Sequence, residues 1–279
     1  MSGAGSVRAA LGQARLRGVA SLDAQLMLAR LLGSTRTQLI ANDDAALAPD
    51  VDARWAAWLE RRASGEPLAY LLGEKEFHGL MLEVTPEVLV PRPETELLVD
   101  WAIELLPGFA KRPQIVDLGT GSGAIALAIA RAYPEASVTA TDASAAALAV
   151  ARRNANRLLL AIELLAGSWW QGLADRRFDL VVANPPYIRD GDPALAALHH
   201  EPRSALTPGG DGLAALRAIV AGVTRHLHPG GWLLLEHGFD QTEPVRKLLE
   251  MAGLGRIELR RDLAGHPRAT GARWAPPAL

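Results

Sequence analysis

Cysteine is absent from all 279 residues, which excludes a disulfide framework and any metal site built on thiolates. The seven histidines show no His-Glu-x-x-His or comparable ligand spacing, so no metal is expected. Also missing is an apolar run of about 18 residues free of charges and turn signals, the least that would suggest a membrane-crossing helix. The stretch from Met1 to Gly18 lacks the apolar centre of a secretory signal and reads as helix, so a cytoplasmic location is expected. A basic excess is lacking as well. The 29 Lys and Arg residues stand against 31 Asp and Glu, a formal charge of −2, whereas chains that hold nucleic acid mainly through phosphates carry clustered positive charge. Neither a membrane partner nor direct nucleic-acid binding is expected. With 49% hydrophobic and 22% charged residues, the composition also excludes a disordered chain.

What is present falls into parts of different period. From Val7 to about Gly65 apolar residues recur at helical spacing, as in Leu22, Leu26, Leu28, Leu31 and Leu32, and again in Trp55, Trp58 and Leu59. Gly18, Gly33 and Gly65 sit where such helices would stop, and Ser21 is a candidate N-cap. To residue 85 this part holds nine basic and ten acidic side chains, so it is not a basic arm. Around Phe77-His78-Gly79-Leu80 the pattern changes to that of a hairpin, and Pro91 to Glu96 starts a helix. The expected organisation is a helical bundle over 1–68, a hairpin linker over 69–92 and a larger domain over 93–279.

From Ile115 short β-rich runs alternate with helical stretches, the pattern of a parallel sheet covered on both faces. Strands are expected at 115–118, 137–141, 162–165, 178–183 and 232–236. Arg256 to Arg260 and Arg268 to Trp274 leave no room for a helix between them and should form an antiparallel hairpin at the sheet edge. A seven-stranded α/β sheet of this kind resembles the class I methyltransferase fold, a Rossmann-like architecture.

Asp117-Leu-Gly-Thr-Gly-Ser-Gly123 follows a buried strand and opens a helix. Gly119, Gly121 and Gly123 let the backbone turn sharply and approach a ligand, with Thr120 and Ser122 between them. Asp142, at the end of the next strand, can accept hydrogen bonds from both hydroxyls of a ribose. These features point to a nucleoside cofactor without choosing one, because Gly119-x-Gly121-x-x-Ala124 also satisfies the dinucleotide fingerprint of an NAD-dependent oxidoreductase. Asp117 favours the other candidate, S-adenosylmethionine: a carboxylate there can meet an ammonium group directly or through water, and would repel a pyrophosphate.

Asn184-Pro-Pro-Tyr187 stands at the carboxyl end of the run 178–183, the side on which open α/β sheets bind ligands. Prolines alone would merely end a strand. The amide before them and the aromatic ring after them suit methylation of a planar nitrogen, a poor nucleophile whose lone pair must be aimed. The side-chain oxygen of Asn184 and the carbonyl of Pro185, its direction preset because the rings of Pro185 and Pro186 fix φ, can take the two hydrogens of an NH2 group, and Tyr187 offers a flat face. The four residues resemble the signature of enzymes that methylate adenine, cytosine, guanine or glutamine amino groups.

Further matches extend along the chain: Glu66 to Gly73, Phe77, Val90 to Glu96, Glu201-Pro202, Gly209 to Gly212, Leu235 to Gly238 and Arg261 to His266. Together with the two motifs they resemble the bacterial peptide chain release factor glutamine methyltransferases, the PrmC/HemK family. The resemblance implies S-adenosylmethionine-dependent N5-methylation of the glutamine in the Gly-Gly-Gln loop of class 1 release factors, with the helical N-terminal part contributing to substrate recognition. It also implies cofactor contacts from Gly119 to Gly123, Asp142, Asn184 and a tryptophan at the adenine. Trp169, fifteen residues before Asn184, is the candidate, with Trp170 beside it. The alternatives are a glutamine methyltransferase of a ribosomal protein and a base amino-methyltransferase on DNA or RNA. Arg92 and Glu94 could line an entrance or form a helix-start ion pair. His199, His200 and Glu201 lie in the long loop after Asn184-Pro-Pro-Tyr187, where the histidines read as surface, and Glu236 and His237 read as structural residues at a strand end.

Overall fold

The computed structural model describes residues 5–109 and 111–275. The chain divides into two compact units, residues 1–74 and 75–279. Among the described residues no helix is long and apolar enough to cross a membrane.

The first unit contains α1 (Val7–Leu16), α2 (Ser21–Leu32), α3 (Arg36–Ala41), α4 (Pro49–Ala63) and α5 (Leu68–Leu72). Local chemistry sets their ends. Ser6 accepts a hydrogen bond from the Ala9 amide, Thr35 and Gln38 form a reciprocal capping box, and Pro49 opens α4 where its missing N–H costs nothing. Gly33 and Gly73 stop α2 and α5 in the left-handed conformation. Ser21 is not the N-cap expected of it. Ala20 occupies that place, and the Ser21 hydroxyl is engaged by Gln25 one turn later. Val7, Ala10, Ala14, Met27, Leu28, Leu31, Trp55 and Leu59 form the core. Helix α5 lies where the sequence pattern places the start of a hairpin, because Pro67 before it and Gly73 after it supply a helix start and stop within a short apolar run.

Next comes a hairpin of β1 (Glu74–Phe77) and β2 (Leu80–Glu83). His78 and Gly79 turn it, both at positive φ (48° and 74°), the backbone that matches the twist of paired strands. A 3-10 turn at Pro93–Thr95 leads into α6 (Glu96–Leu105), and the sheet follows. Its elements in chain order are β3 (Gln114–Leu118), α7 (Ala124–Ala132), β4 (Ser137–Asp142), α8 (Ala145–Leu158), β5 (Glu163–Ala166), β6 (Phe178–Ala183), α9 (Ala194–Ala197), α10 (Arg203–Leu206), α11 (Ala214–His226), β7 (Leu227–Glu236), α12 (Thr242–Met251), β8 (Gly255–Arg261) and β9 (Pro267–Arg273). The seven strands lie in the order β5-β4-β3-β6-β7-β9-β8. The first five are parallel, and β9 runs antiparallel to both β7 and β8.

Alternate residues of the central strands enter two cores. Ile115, Leu180, Val182 and Leu234 join one, with Leu98, Trp101 and Ile129. Val116, Leu118, Val181, Leu233 and Leu235 join the other, with Leu216, Ile219 and Leu249. Burial on both faces makes these strands almost continuously apolar, as a covered parallel sheet requires. The strand order reverses between β3 and β6, where Leu118 pairs with Ala183, and a crevice opens beyond the carboxyl ends of such a pair.

Candidate functional site

A cleft of about 300 Å³ occupies that crevice, the lower end of the size range for small-molecule sites. Residues 119–122 after β3, Asp142 at the end of β4, Gly167 to Trp169 after β5, and Asn184 and Pro186 after β6 contribute to its wall. Glu87 to Leu89, Pro91, Arg92 and Thr95 line it too, as do Pro202, Ser204 and Ala205.

The glycine loop is pinned to the neighbouring strand, since the amides of Gly119 and Thr120 both donate to the Thr141 carbonyl at 2.9 Å. Gly119, Gly121 and Gly123 all have positive φ. Gly123 does not line the cleft. A Cβ there would lie 3.0 Å from Leu127 Cδ1 and 3.3 Å from the Ala151 Cβ, so its service is close packing of α7 on α8. Asp142 accepts from the Gly121 amide at 2.9 Å through one oxygen and from Ser144 at 2.8 Å through the other. Each oxygen keeps acceptor capacity toward the cleft. Trp169 lines the cleft with a strained φ of 51°, whereas Trp170 stacks on His226 at 4.6 Å and donates to the Ile219 carbonyl at 3.0 Å.

Asp117 lies beneath the loop and not on the cleft wall, only 1% exposed. Thr120 Oγ1 donates to its Oδ2 at 2.6 Å, and its Oδ1 has no partner among the described residues. Burial pushes its pKa up to about 7 against the pull of the Thr120 hydrogen bond.

On the opposite side, Asn184 is held from behind. Its Nδ2 donates to Thr95 Oγ1 at 3.0 Å, Thr95 donates to Glu236 Oε2 at 2.7 Å, and Tyr187 donates to Glu236 Oε1 at 3.1 Å. Pro185 and Tyr187 stand off the cleft wall. Glu236, 2% exposed, has its pKa raised by burial to about 7, and burial also raises that of the Tyr187 hydroxyl.

Three supporting residues are not assigned to the site by the sequence: Thr95 and Glu201 lie within family matches that say nothing of their contacts, and Asn154 lies outside every such match. Asn154, fully buried on α8, accepts from the Glu83 amide at 2.7 Å and donates to the carbonyls of Glu83 (3.0 Å) and Ser122 (2.9 Å), tying the hairpin to the glycine loop. Glu201 is buried too. It pairs with Arg92 and accepts from the Val90 amide at 3.0 Å, so Arg92 makes its ion pair with a residue 109 positions away and not with Glu94. A polar side chain on the apolar face of α8 is the one sequence signal that could have picked out Asn154.

Residues 6–73 match the model of the PrmC N-terminal domain, and residues 95–215 match that of the methyltransferase small domain. The chain is 51% identical over 262 residues to the release factor glutamine methyltransferase of Burkholderia pseudomallei, covering 91% of this chain and 92% of that protein. It is 50% identical over 257 residues to the protein of the same name from Bordetella pertussis, covering 91% and 95%. A 16S rRNA N2 methyltransferase of T. thermophilus, solved with AdoMet and guanosine, shares the fold with a TM-score of 0.55 at 23% identity, over 72% of this chain and 49% of that one.

Proposed function

The chain belongs to the release factor glutamine methyltransferase family, and from that premise we propose that it methylates the N5 side-chain nitrogen of the glutamine in the Gly-Gly-Gln loop of class 1 release factors. The dinucleotide reading that the glycine spacing allowed falls with membership of a methyltransferase family.

S-adenosylmethionine is the methyl donor of such enzymes, and the cleft residues fit it. Asp142 has lone pairs to spare for a ribose diol. Trp169 offers an aromatic surface for adenine. The unpartnered Oδ1 of Asp117 is a buried negative site below the loop, where a water could link it to an ammonium group. When bound, the cofactor supplies an electrophilic methyl group on a sulfonium.

The observation that carries the reading is the commitment of the Asn184 NH2 to Thr95. An amide whose nitrogen is engaged by Thr95 leaves its oxygen free to serve as a hydrogen-bond acceptor for the substrate. That oxygen, with the carbonyl of Pro185, takes the two N–H groups of the glutamine amide and directs its lone pair at the methyl carbon. Orientation of this kind is the part of catalysis a weak nucleophile needs most, with effective molarities on the order of 10⁵ to 10⁸ M for well-aligned groups. As the N–C bond forms and the C–S bond breaks, the nitrogen gives up one proton, which passes to water because Asn184 is no base.

Transfer of labelled methyl from S-adenosylmethionine to a purified release factor tests the proposal. Label on the native Gly-Gly-Gln protein and none on a variant with that glutamine replaced is the expected result. Equal labelling of both would refute it.

A further inference from the structure

Asn184 can serve its purpose only one way round. Half a turn about the side chain exchanges an acceptor oxygen for two donor hydrogens, and the two arrangements have nearly the same shape. With NH2 toward the cleft it would oppose the NH2 of the substrate. Something behind the amide must choose between them.

Behind it is a chain of groups whose hydrogens are all accounted for. A carboxylate only accepts, so Glu236 requires a hydrogen from Thr95 at Oε2 and another from Tyr187 at Oε1. Thr95 has a single hydrogen. Once that points at Glu236, only lone pairs of its oxygen face Asn184, and they can be met only by NH2. We propose that Glu236, acting through Thr95, is a positioning residue that fixes the Asn184 amide with its oxygen toward the methyl acceptor. The inference rests on the reading of Asn184 as the acceptor of the glutamine N–H groups.

Glutamine at 236 would not do the same. It has one acceptor and one donor edge and would offer a hydrogen to one of the two hydroxyls. An uncharged side chain would also escape the desolvation cost of a carboxylate that is 2% exposed, so structural service alone gives little reason for an acid. The groups facing Glu236 are Thr95 and Glu94 before α6, Tyr187 after β6, and Arg268 on β9, which is itself engaged by Asp262 at 3.3 Å. Burial sets the balance, raising the Glu236 pKa to about 7 although Thr95, Tyr187 and Arg268 favour ionisation. Protonated Glu236 can donate to Thr95, which frees the threonine hydrogen for the Asn184 oxygen and lets the amide turn over.

The test uses the full-length protein with Glu236→Gln, Thr95→Val and Thr95→Ser, measuring methyl transfer to the release factor from pH 6 to 9 and binding of S-adenosylhomocysteine by calorimetry. Thr95→Val and Glu236→Gln should each lower kcat by about 30- to 100-fold, the scale of a misoriented reacting group, with KM and S-adenosylhomocysteine affinity changed by less than about threefold. Thr95→Ser keeps the hydroxyl and should recover most of the rate that Thr95→Val loses. The double variant Thr95→Val/Glu236→Gln should be no worse than either single change, because the two act as one unit. The wild type should lose kcat as pH falls through about 7, and Glu236→Gln should lose that limb. Undiminished kcat in both Thr95→Val and Glu236→Gln, a Thr95→Ser variant as slow as Thr95→Val, or a loss of S-adenosylhomocysteine affinity matching the loss of kcat would overturn the inference. If Glu236→Gln does not fold, the threonine pair decides alone. Wild-type protein that labels no release factor would instead sink the functional reading beneath it.

Discussion

Asp117 and Glu236 are both carried by burial to a pKa of about 7, and both sit one contact away from the groups that meet ligands. Their effect on stability has a definite sign. An acid whose pKa is raised on folding binds more protons in the folded chain than in the unfolded one, so stability falls as pH rises through the window between the two values and levels off above it. For Asp117 that window runs from 3.8 to about 7. Asp117→Asn should therefore stabilise the protein at pH 8, on the order of 1 to 4 kcal/mol, with the gain vanishing near pH 4. Denaturant unfolding at the two pH values measures it, and a gain independent of pH would contradict the stated cause. The same change should weaken S-adenosylhomocysteine binding. Asp117, the glycines, Asp142 and Asn184 were legible in the sequence because each holds a fixed place at the end of a strand. Thr95 and Glu236 were not. Their partners stand 89 and 141 positions away, and no local pattern records a contact of that range.

The parallel strands were legible to within one or two residues at most of their ends because a covered sheet writes unbroken apolar runs into its sequence. The start of β7 was not. The structure extends it back to Leu227, through a register irregularity opposite Phe178 and Leu180 that admits His228, Pro229 and the two glycines. The C-terminal hairpin contributes β9 to the interior of the sheet, and close approach there depends on Gly271. A Cβ at that position would stand 2.5 Å from Trp101 and 2.8 Å from Leu234. Gly271→Ala should cost about 1–3 kcal/mol by overpacking, read as a lower midpoint in thermal or denaturant unfolding. An unchanged midpoint would mean that α6 can shift away. Asn154 ties α8 to β2 and to the glycine loop with three hydrogen bonds, so Asn154→Ala leaves buried amide and carbonyl groups unpaired and should cost about 2–4 kcal/mol. Asn154→Asp should keep the contact with the Glu83 amide and lose the other two, giving a smaller amide-exchange protection loss at Glu83 than Asn154→Ala.

At the scale of the molecule, the boundary between units falls after Glu74, and every residue named in the cleft belongs to the second unit. The first unit has its own core and matches the PrmC N-terminal domain, which supports a role in meeting the protein substrate. A chain beginning at Lys75 should accordingly keep S-adenosylhomocysteine affinity within about threefold and raise KM for the release factor by about tenfold or more. Unchanged KM would remove the first unit from substrate recognition. The proposed chemistry brings one planar nitrogen to one side-chain oxygen, and its most direct test is made there. Single-turnover transfer to the release factor, with S-adenosylhomocysteine affinity measured alongside, should show Asn184→Ala binding the cofactor product nearly as well as wild type while transferring methyl at least about 100-fold more slowly. Wild-type transfer by that variant would contradict the account at its centre.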